Sequence, residues 1–215
     1  MKGIRFGVRH SFDDLGLILG PKKLGAPAVK DEKTDIPGGD GSLDRTEFFG
    51  DVKYENRTHR FDFSTMAPAE EFPTVYSNVL NRLHGRKMRI ILDDDPLYFY
   101  YGRLHVSDFT NEKGVGMISV EADCEPYKYK KDFTVSANVV SGTQVITLTN
   151  GRLRAVPEVQ IHTESGSIRI EYQGSIWDLG TGVYTLPELE LIQGENTVTV
   201  TGTGTVTFAW QEGDL

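Results

Sequence analysis

The sequence lacks several features that mark common functional classes. It has one cysteine, Cys124, which excludes an intrachain disulfide and favours a cytosolic folding environment. No apolar run approaches the roughly 18 residues of a membrane span, and the first residues lack the apolar core of a signal peptide, so we expect no classical export signal and no helical anchor. Lys and Arg number 23 against 31 Asp and Glu, a net charge of −8 that disfavours tight binding of nucleic-acid phosphates.

Motifs of catalysis and metal binding are absent as well. The five histidines are scattered, and none is spaced from another as zinc or iron ligands are. We interpret them as surface or edge-strand residues and Cys124 as a buried structural cysteine. There is no Gly-x-Ser-x-Gly elbow, phosphate loop or dinucleotide fingerprint. The sequence therefore predicts no enzyme, no metal site and no cofactor.

Two acidic stretches need a separate interpretation. Residues 93–95 are three consecutive aspartates before Pro96, and adjacent carboxylates on a strand alternate sides, so we interpret them as a solvated hairpin turn rather than a cation site. Residues 34–44 combine carboxylates with glycines but lack the ligand spacing and the distal glutamate of a calcium loop. A carboxylate pair for glycoside hydrolysis stays open in a β-rich chain, although nothing nominates one.

The first part of the chain predicts an α+β domain. An apolar stripe predicts a helix over 72–83, with Thr74 as N-cap and Gly85 as a left-handed C-terminal cap. Gly20 and Pro21 are expected to end a strand, and the polar segment 22–33 is expected to be a long loop or an exposed hairpin arm. The predicted strands are 4–6, 15–19, 43–49, 53–63, 87–92, 97–103, 104–109 and 117–125.

After Pro126 the pattern becomes all-β. Strand-like segments punctuated by glycines predict a small β-sandwich. The last two segments are predicted to be separate strands joined around residues 202–204. Residues 127–131 form a basic-aromatic patch, which we interpret as a connector or strand edge. We expect domains at 1–135 and 136–215. The predicted strands are 143–149, 158–163, 167–172, 183–192, 196–201 and 205–210.

Residues 34–44 are the most constrained stretch of the sequence. Gly38 and Gly41 allow positive φ, and Pro37 fixes its own φ. These residues predict a compact turn followed by a new strand. We interpret the stretch as the rigid return of a hairpin arm formed by residues 22–33.

Several short motifs follow one another along nearly the whole chain. In this order and spacing, the sequence resembles the distal tail (Dit-like) protein family of phages and prophages with long, non-contractile tails that infect Gram-positive bacteria. The motifs are Thr34-Asp35-Ile36-Pro37-Gly38-Gly39-Asp40-Gly41-Ser42-Leu43-Asp44, Tyr54-Glu55-Asn56-Arg57, Phe61-Asp62-Phe63, Asn81-Arg82-Leu83-His84-Gly85, Ile90-Ile91-Leu92 before Asp95-Pro96, Tyr98-Phe99-Tyr100-Tyr101-Gly102-Arg103-Leu104 and Phe208-Ala209-Trp210-Gln211-Glu212-Gly213-Asp214-Leu215.

The resemblance implies a mainly β fold and a structural role. The fold would be a tail-tube-like β-sandwich with one flanking helix and a hairpin arm, followed by a small jelly-roll sandwich similar to galectins and carbohydrate-binding modules. The implied protein is a non-enzymatic hub of the virion tail tip, made in the bacterial cytoplasm. Its implied partners are five further copies in a homohexameric ring, the tail-tube protein, the tail-associated or tail-tip protein and a receptor-binding protein. DNA would pass through the lumen without specific binding, and no membrane insertion is implied.

We expect the oligomer interface on and beside the arm. Two alternatives from other classes remain. One is a module that binds host cell-wall carbohydrate or a receptor directly, with Trp177, Tyr184 and Trp210 as stacking residues, although aromatic residues in a small sandwich are more often core. The other is a cell-wall hydrolase. The candidate interface residues are Lys22, Lys23, Lys30, Lys33, Asp35, Ile36, Pro37, Gly38, Gly41, Leu43 and Asp44.

Overall fold

The computed structural model describes residues 2–48, 50–112, 114–164 and 166–215. The chain forms two compact units, Met1–Lys128 together with Leu215, and Tyr129–Asp214. Each unit has its own hydrophobic core. The sequence predicts a ring-forming domain at 1–135 and a jelly-roll domain at 136–215. These domain limits stay a prediction.

The first unit is a β-sheet with one α-helix in the part described. The elements are β1 Ile4–Phe6, β2 Arg9–His10, β3 Leu17–Leu24, β4 Lys33–Asp35, β5 Ser42–Asp44, β6 Arg57–Thr65, a 3₁₀ turn Ala69–Glu71, α1 Phe72–Leu83, β7 Lys87–Leu92, β8 Tyr98–Glu112 and β9 Val115–Lys130. Its sheet has the order β2-β1-β7-β8-β9-β6-β3, and β4 and β5 form a separate two-stranded sheet.

Aromatic packing shows that this sheet curls over on itself. Phe6 of β1 and Phe61 and Phe63 of β6 are separated in the strand order by three strands, yet the Phe6 ring centroid lies 6.2 Å from that of Phe61 and 6.1 Å from that of Phe63. Val79 and Leu83 of α1 are buried in the same core. The alternation of β6 places its odd-numbered residues inward, so residues 57 and 59 share the inner side with the two phenylalanines.

The helix occupies the predicted residues, but its start differs from the prediction. Glu71 is the N-cap and makes no side-chain capping bond, whereas Thr74 lies inside the first turn. Pro73 suits this first turn, where a missing N–H costs nothing. Gly85 follows the last turn with φ +73°, so the predicted left-handed cap is confirmed.

Two strands of the first unit are longer than predicted. β3 continues through Gly20 and Pro21, where the sequence predicts its end, because its pairing with β6 shifts register between Leu19 and Lys22. A bulge on an edge strand accommodates proline, which has no N–H for a ladder bond. β8 is one strand across residues 103 and 104, where two strands were predicted to meet, and it includes Gly102. A Cβ at Gly102 would lie 2.5 Å from the Cys124 sulfur, so close packing explains this glycine better than a turn.

The second unit is built around one long hairpin. The strands β10, Thr134–Asn150, and β15, Gly194–Trp210, pair antiparallel along their whole lengths, from Thr134↔Trp210 to Asn150↔Gly194. The sequence analysis missed the short strand at 175–179. Of the predicted strand 183–192, only the first residues, up to Thr185, are in a strand. The elements are β10 Thr134–Asn150, β11 Glu158–His162, β12 Ile168–Tyr172, β13 Ser175–Leu179, β14 Gly182–Thr185, β15 Gly194–Trp210 and β16 Gly213–Asp214.

β15 is a single strand, and the predicted turn at 202–204 is wrong. Gly202 and Gly204 have φ +149° and +154° and lie where β15 changes its partner, from β12 at 199–201 to β11 at 205–209. A Cβ at Gly204 would lie 2.3 Å from the His162 carbonyl oxygen. Both halves of β15 contribute side chains to one core, so the strand stays continuous across its change of partner. β10 contains no charged residue and no proline along this ladder.

Candidate assembly arm

The β3–β6 hairpin continues beyond the sheet as a long exposed arm, residues 25–56. Its backbone bonds are interrupted but keep the register of a hairpin. Gly25 N–H donates to the Thr58 carbonyl, Glu55 N–H to Ala28 and Lys30 N–H to Lys53. The ladder then resumes between β4 and β5. The arm is therefore a specified structure of the single chain.

The arm tip, residues 33–44, is the stretch that the sequence marks as constrained. Thr34 pairs with Leu43 and Asp35 with Ser42, and the chain reverses between them. Gly38 and Gly41 have φ +75° and +81°, a conformation that favours glycine. The predicted turn is present. It forms the tip of the arm, whereas the sequence analysis placed it after the arm, as the segment by which the chain returns to the sheet.

The candidate interface residues fall on three parts of the molecule. Lys22 and Lys23 lie in β3, outside the arm, and Lys22 forms an ion pair with Asp94. Lys30 lies in the arm shaft, 3.9 Å from Glu55. The remaining candidates lie in the tip, and all of them are exposed: Lys33, Asp35, Ile36, Pro37, Gly38, Gly41, Leu43 and Asp44. Whether they form an interface stays a prediction.

The arm exposes apolar side chains and excess negative charge together. Leu43 of the tip is 57% exposed and Ile36 is 49% exposed, and Phe48 further along the return is 68% exposed. Residues 25–56 contain eight Asp or Glu and four Lys or Arg. No described residue of this range is buried. Contiguous exposed apolar groups of this kind mark interaction surfaces.

A buried polar cluster fastens the base of the arm. Gly25 N–H donates to His59 Nδ1 at 3.1 Å as well as to the Thr58 carbonyl. The His59 ring is fully buried, its centroid 4.5 Å from the Tyr100 ring. Burial and the nearby Arg57 lower the pKa of His59 to about 4. Since Nδ1 accepts from Gly25, the neutral ring carries its proton on Nε2.

Arg57 is the second member of this cluster. Its guanidinium lies 4.6 Å from the Tyr100 ring centroid, a cation–π contact. Its Nε and Nη2 are buried without a hydrogen-bond partner in the described part, and burial lowers its pKa. Sequence reasoning missed both residues of the cluster. The sequence pattern that could have identified them is the alternation of β6, because residues 57 and 59 have the same odd-numbered positions as the buried Phe61 and Phe63.

The three consecutive aspartates lie in the turn between β7 and β8, so the predicted hairpin turn is present, and each partly exposed carboxylate is bound by a different partner. Asp93 accepts from Gly3 N–H at 2.8 Å and contacts His10 Nε2 at 2.9 Å. Burial opposes ionisation there, but these two bonds lower the pKa of Asp93. Asp94 pairs with Lys22, and Asp95 lies 3.1 Å from Lys128. The three carboxylates therefore point to different partners, and their contacts connect this turn to other parts of the first unit.

Two other expectations concern histidine and cysteine. His59 is buried in β6, an inner strand, so the prediction of a surface or edge-strand position is wrong for it, whereas His10 lies on the edge strand β2 as predicted, although its side chain is buried. Cys124 is buried as predicted, and burial raises the pKa of its thiol to about 12. Within the described ranges no cluster of three His, Cys, Asp or Glu side chains is suited to a metal ion. No helix among the described residues is long and apolar enough to cross a membrane.

The aromatic residues considered for sugar stacking lie in or against the core of the second unit. Trp210 is buried, and Trp177 and Tyr184 are half-buried and pack against the same core. The Tyr184 hydroxyl donates to the Gly180 carbonyl. The flat faces needed for stacking on a sugar are thus largely occupied by protein.

No protein-family model matches the chain, and no curated protein matches it with significant similarity. Among solved structures, the chain is similar to the crystal structure of SPP1 Dit (gp 19.1), described as a paradigm of the hub adsorption apparatus in phages that infect Gram-positive hosts. The TM-score is 0.71 at 13% identity, over 98% of this chain and 99% of that one. The predicted mainly β, Dit-like fold with a single helix is therefore confirmed.

Proposed function

We propose that this protein is the structural hub of a siphophage tail tip. In this role six copies form a ring that joins the tail tube to the tail-associated and receptor-binding proteins. The lumen of the ring lets DNA pass. The protein is synthesised in the bacterial cytoplasm, becomes part of the virion at the tail tip, and catalyses no reaction.

The observation that carries the proposal is a shared fold over essentially the full length of both chains. The match with SPP1 Dit covers 98% of this chain and 99% of the other, so it includes both compact units. A fold by itself supports many functions. The arm adds independent support, because an exposed apolar hairpin on a β-rich chain is what an assembling subunit needs.

The charge of the chain suits a DNA passage. A net charge of −8 gives a surface on which phosphates are not held by counterion release. A ring made by head-to-tail contacts requires two different surfaces on one chain and a rotation that closes. The arm provides one of these surfaces.

Mass photometry and negative-stain electron microscopy of the purified full chain test the proposal. The expected result is closed rings of six copies, or two such rings together, at micromolar concentration. Particles that stay monomeric over the whole accessible concentration range would refute the ring. Binding of the purified tail-tube protein to one face of the ring tests the joining role separately.

The contribution of the arm is tested by shortening it. Lys30 and Lys53 are hydrogen-bonded to each other, so an Asn-Gly turn can join them in place of residues 31–52. The shortened chain should keep its melting temperature, because the deleted range has no buried residue among those described, and it should lose ring formation. Rings formed by the shortened chain would show that the arm is dispensable.

A double substitution with a matched control separates apolar contact from folding. Ile36→Ser with Leu43→Ser removes apolar surface from the tip and should reduce ring formation. Ile176→Ser with Val183→Ser removes comparably exposed side chains from the second unit, each 57% exposed. The control should assemble normally. Equal effects of the two double substitutions would contradict an assembly role specific to the arm.

A further inference from the structure

The outer side of β1, β7 and β8 carries a row of basic residues from separate strands. We call Arg5, Lys87, Arg89 and Arg103 the basic face. The alternation of β7 buries Ile90 and Leu92 and exposes residues 87 and 89, and Arg103 is exposed on β8. Lys87 lies directly opposite Arg103, and Arg89 lies opposite Tyr101.

The basic face is neutralised within the chain only at Lys87 among the three residues of β7 and β8 in the described part. Lys87 Nζ lies 2.7 Å from Glu125 Oε1, and this bond raises the pKa of Lys87. Arg89 stacks 4.5 Å above the Phe99 ring. Arg103 donates to the Gly85 carbonyl at 2.6 Å.

Neither arginine has a carboxylate partner in the described part of the chain. Arg89 and Arg103 occupy diagonal positions on neighbouring strands, about 7–8 Å apart at the backbone. Like charges placed directly opposite one another, as Lys87 and Arg103 are, destabilise a sheet. Two arginines at this spacing are arranged to hold carboxylates, which arginine binds with two parallel hydrogen bonds.

The arm tip has the complementary charge. Asp35 and Asp40 are exposed and make no hydrogen bond or ion pair through their carboxylates in the described part. The described hydrogen bonds and ion pairs of residues 31–46 all stay within the arm. The arm tip therefore presents unpaired carboxylates on a rigid hairpin.

We propose that the basic face binds the acidic arm tip of a second copy of this chain, with Arg89 and Arg103 holding Asp35 and Asp40. This inference rests on the proposed ring function and names the surface that receives the arm. The arm extends from β3 and β6, whereas the basic face lies on β1, β7 and β8, several strands away in the sheet order. Contact between two different surfaces of one chain is head-to-tail, and this is the type of contact that generates rings.

Charge reversal on each side tests the pairing. One variant carries Asp35→Lys and Asp40→Lys, and the other carries Arg89→Glu and Arg103→Glu. Each variant alone places like charges at the contact and should associate at least tenfold more weakly than the unmodified chain. Glu158→Lys with Glu195→Lys applies the same charge change as the arm variant to exposed sites of the second unit and should have no effect.

Mixing the two variants gives the decisive measurement. In the mixture, each lysine-bearing arm meets a glutamate-bearing face, and each native arm meets a native face. Rings of alternating composition should therefore form from two chains that do not assemble alone, and native mass spectrometry should show equal numbers of each. Since Arg103 also holds Gly85, Arg89→Glu alone is the second face variant, and melting temperatures confirm that each chain is folded.

Four results would overturn the inference in distinguishable ways. Normal rings from either charge-reversed variant would refute this receiving surface while leaving the hub function in place. Mixtures that stay unassembled would refute the pairing of these two surfaces. An unmodified chain that forms no ring would refute the ring function, and the inference with it. Loss of DNA-oligonucleotide binding by a face variant that still forms rings would assign the basic face to nucleic acid instead.

Discussion

Acidification should loosen the base of the arm through one buried histidine. His59 is fully buried, and its pKa is lowered from 6.5 to about 4 by burial and by Arg57. The folded state thus excludes a proton that the unfolded state binds below pH 6.5. The stability contribution of the neutral ring is fully present above pH 6.5 and is lost as the pH falls towards 4.

The size of the effect follows from the two pKa values. Each unit of pKa difference corresponds to about 1.4 kcal/mol. Between about pH 7 and about pH 5 the linkage relation gives a loss of roughly 2 kcal/mol in the free energy of unfolding, and the full loss below pH 4 is roughly 3 kcal/mol. Protonation also turns Nδ1 from an acceptor into a donor that faces the Gly25 N–H, so the bond at the arm base is lost as well.

The control is His59→Asn, which keeps an acceptor near the position of Nδ1 and cannot titrate. Other groups contribute to acid sensitivity, among them Asp93 and Asp94, whose pKa values are lowered. Only the difference between the unmodified chain and the variant reports on His59. We expect the variant to be less stable near pH 7, because it loses the packing on Tyr100, but to lose less stability on acidification.

Hydrogen exchange of the β6 peptide, with unmodified and variant chains compared at equal pH, measures this difference within the first unit. Both tryptophans lie in the second unit, so their fluorescence serves as an internal reference that His59→Asn should not change. Parallel loss of β6 protection in the two chains between about pH 7 and about pH 5 would refute the role assigned to His59.

Two further predictions concern glycines. Gly204→Ala should destabilise the second unit by roughly 1–3 kcal/mol, because its Cβ would lie 2.3 Å from the His162 carbonyl oxygen. Gly180→Ala, which has open space around its Cβ, should have little effect. Thermal unfolding monitored by tryptophan fluorescence compares the two variants, and similar melting temperatures would contradict the close-packing argument. Gly38→Val or Gly41→Val should reduce ring formation, because φ is +75° or +81° at these positions and valine would distort the turn. The melting temperature should fall by no more than a few degrees, because the tip is exposed. A normal ring yield in mass photometry would contradict a mechanical role for the turn.

Local patterns predicted the elements whose signals are contiguous in sequence. The helix at 72–83 and the strand at 87–92 occupy the predicted residues, because one stripe of apolar side chains and one glycine cap define them. The same local reasoning failed at 202–204, where two glycines resemble a turn. Their real cause is close approach of residues distant in sequence, which no local pattern reveals: His162 approaches Gly204, and Ser167 and Ile168 approach Gly202.

The candidate site was predicted in part, for a related reason. The tip could be recognised because its turn residues are adjacent. The shaft of the arm was predicted only in part. Residues 22–33 were interpreted as a hairpin arm, but the bonds that join residues 25–32 to residues 45–58 depend on a register that the sequence does not show. The basic face was missed because its members come from three strands, and register alone brings Lys87 and Arg103 together.

The long β10–β15 hairpin has a consequence for how the second unit folds. Its ladder joins residues as far apart as Thr134 and Trp210, and the connection between Asn150 and Gly194 contains four other strands. Contacts of such high sequence separation slow folding, since the loop must close before the contacts stabilise it. β15 pairs with β10, β11 and β12, so its ladder bonds join most strands of the unit. We therefore expect the second unit to fold slowly and to exchange its core amides as one cooperative block.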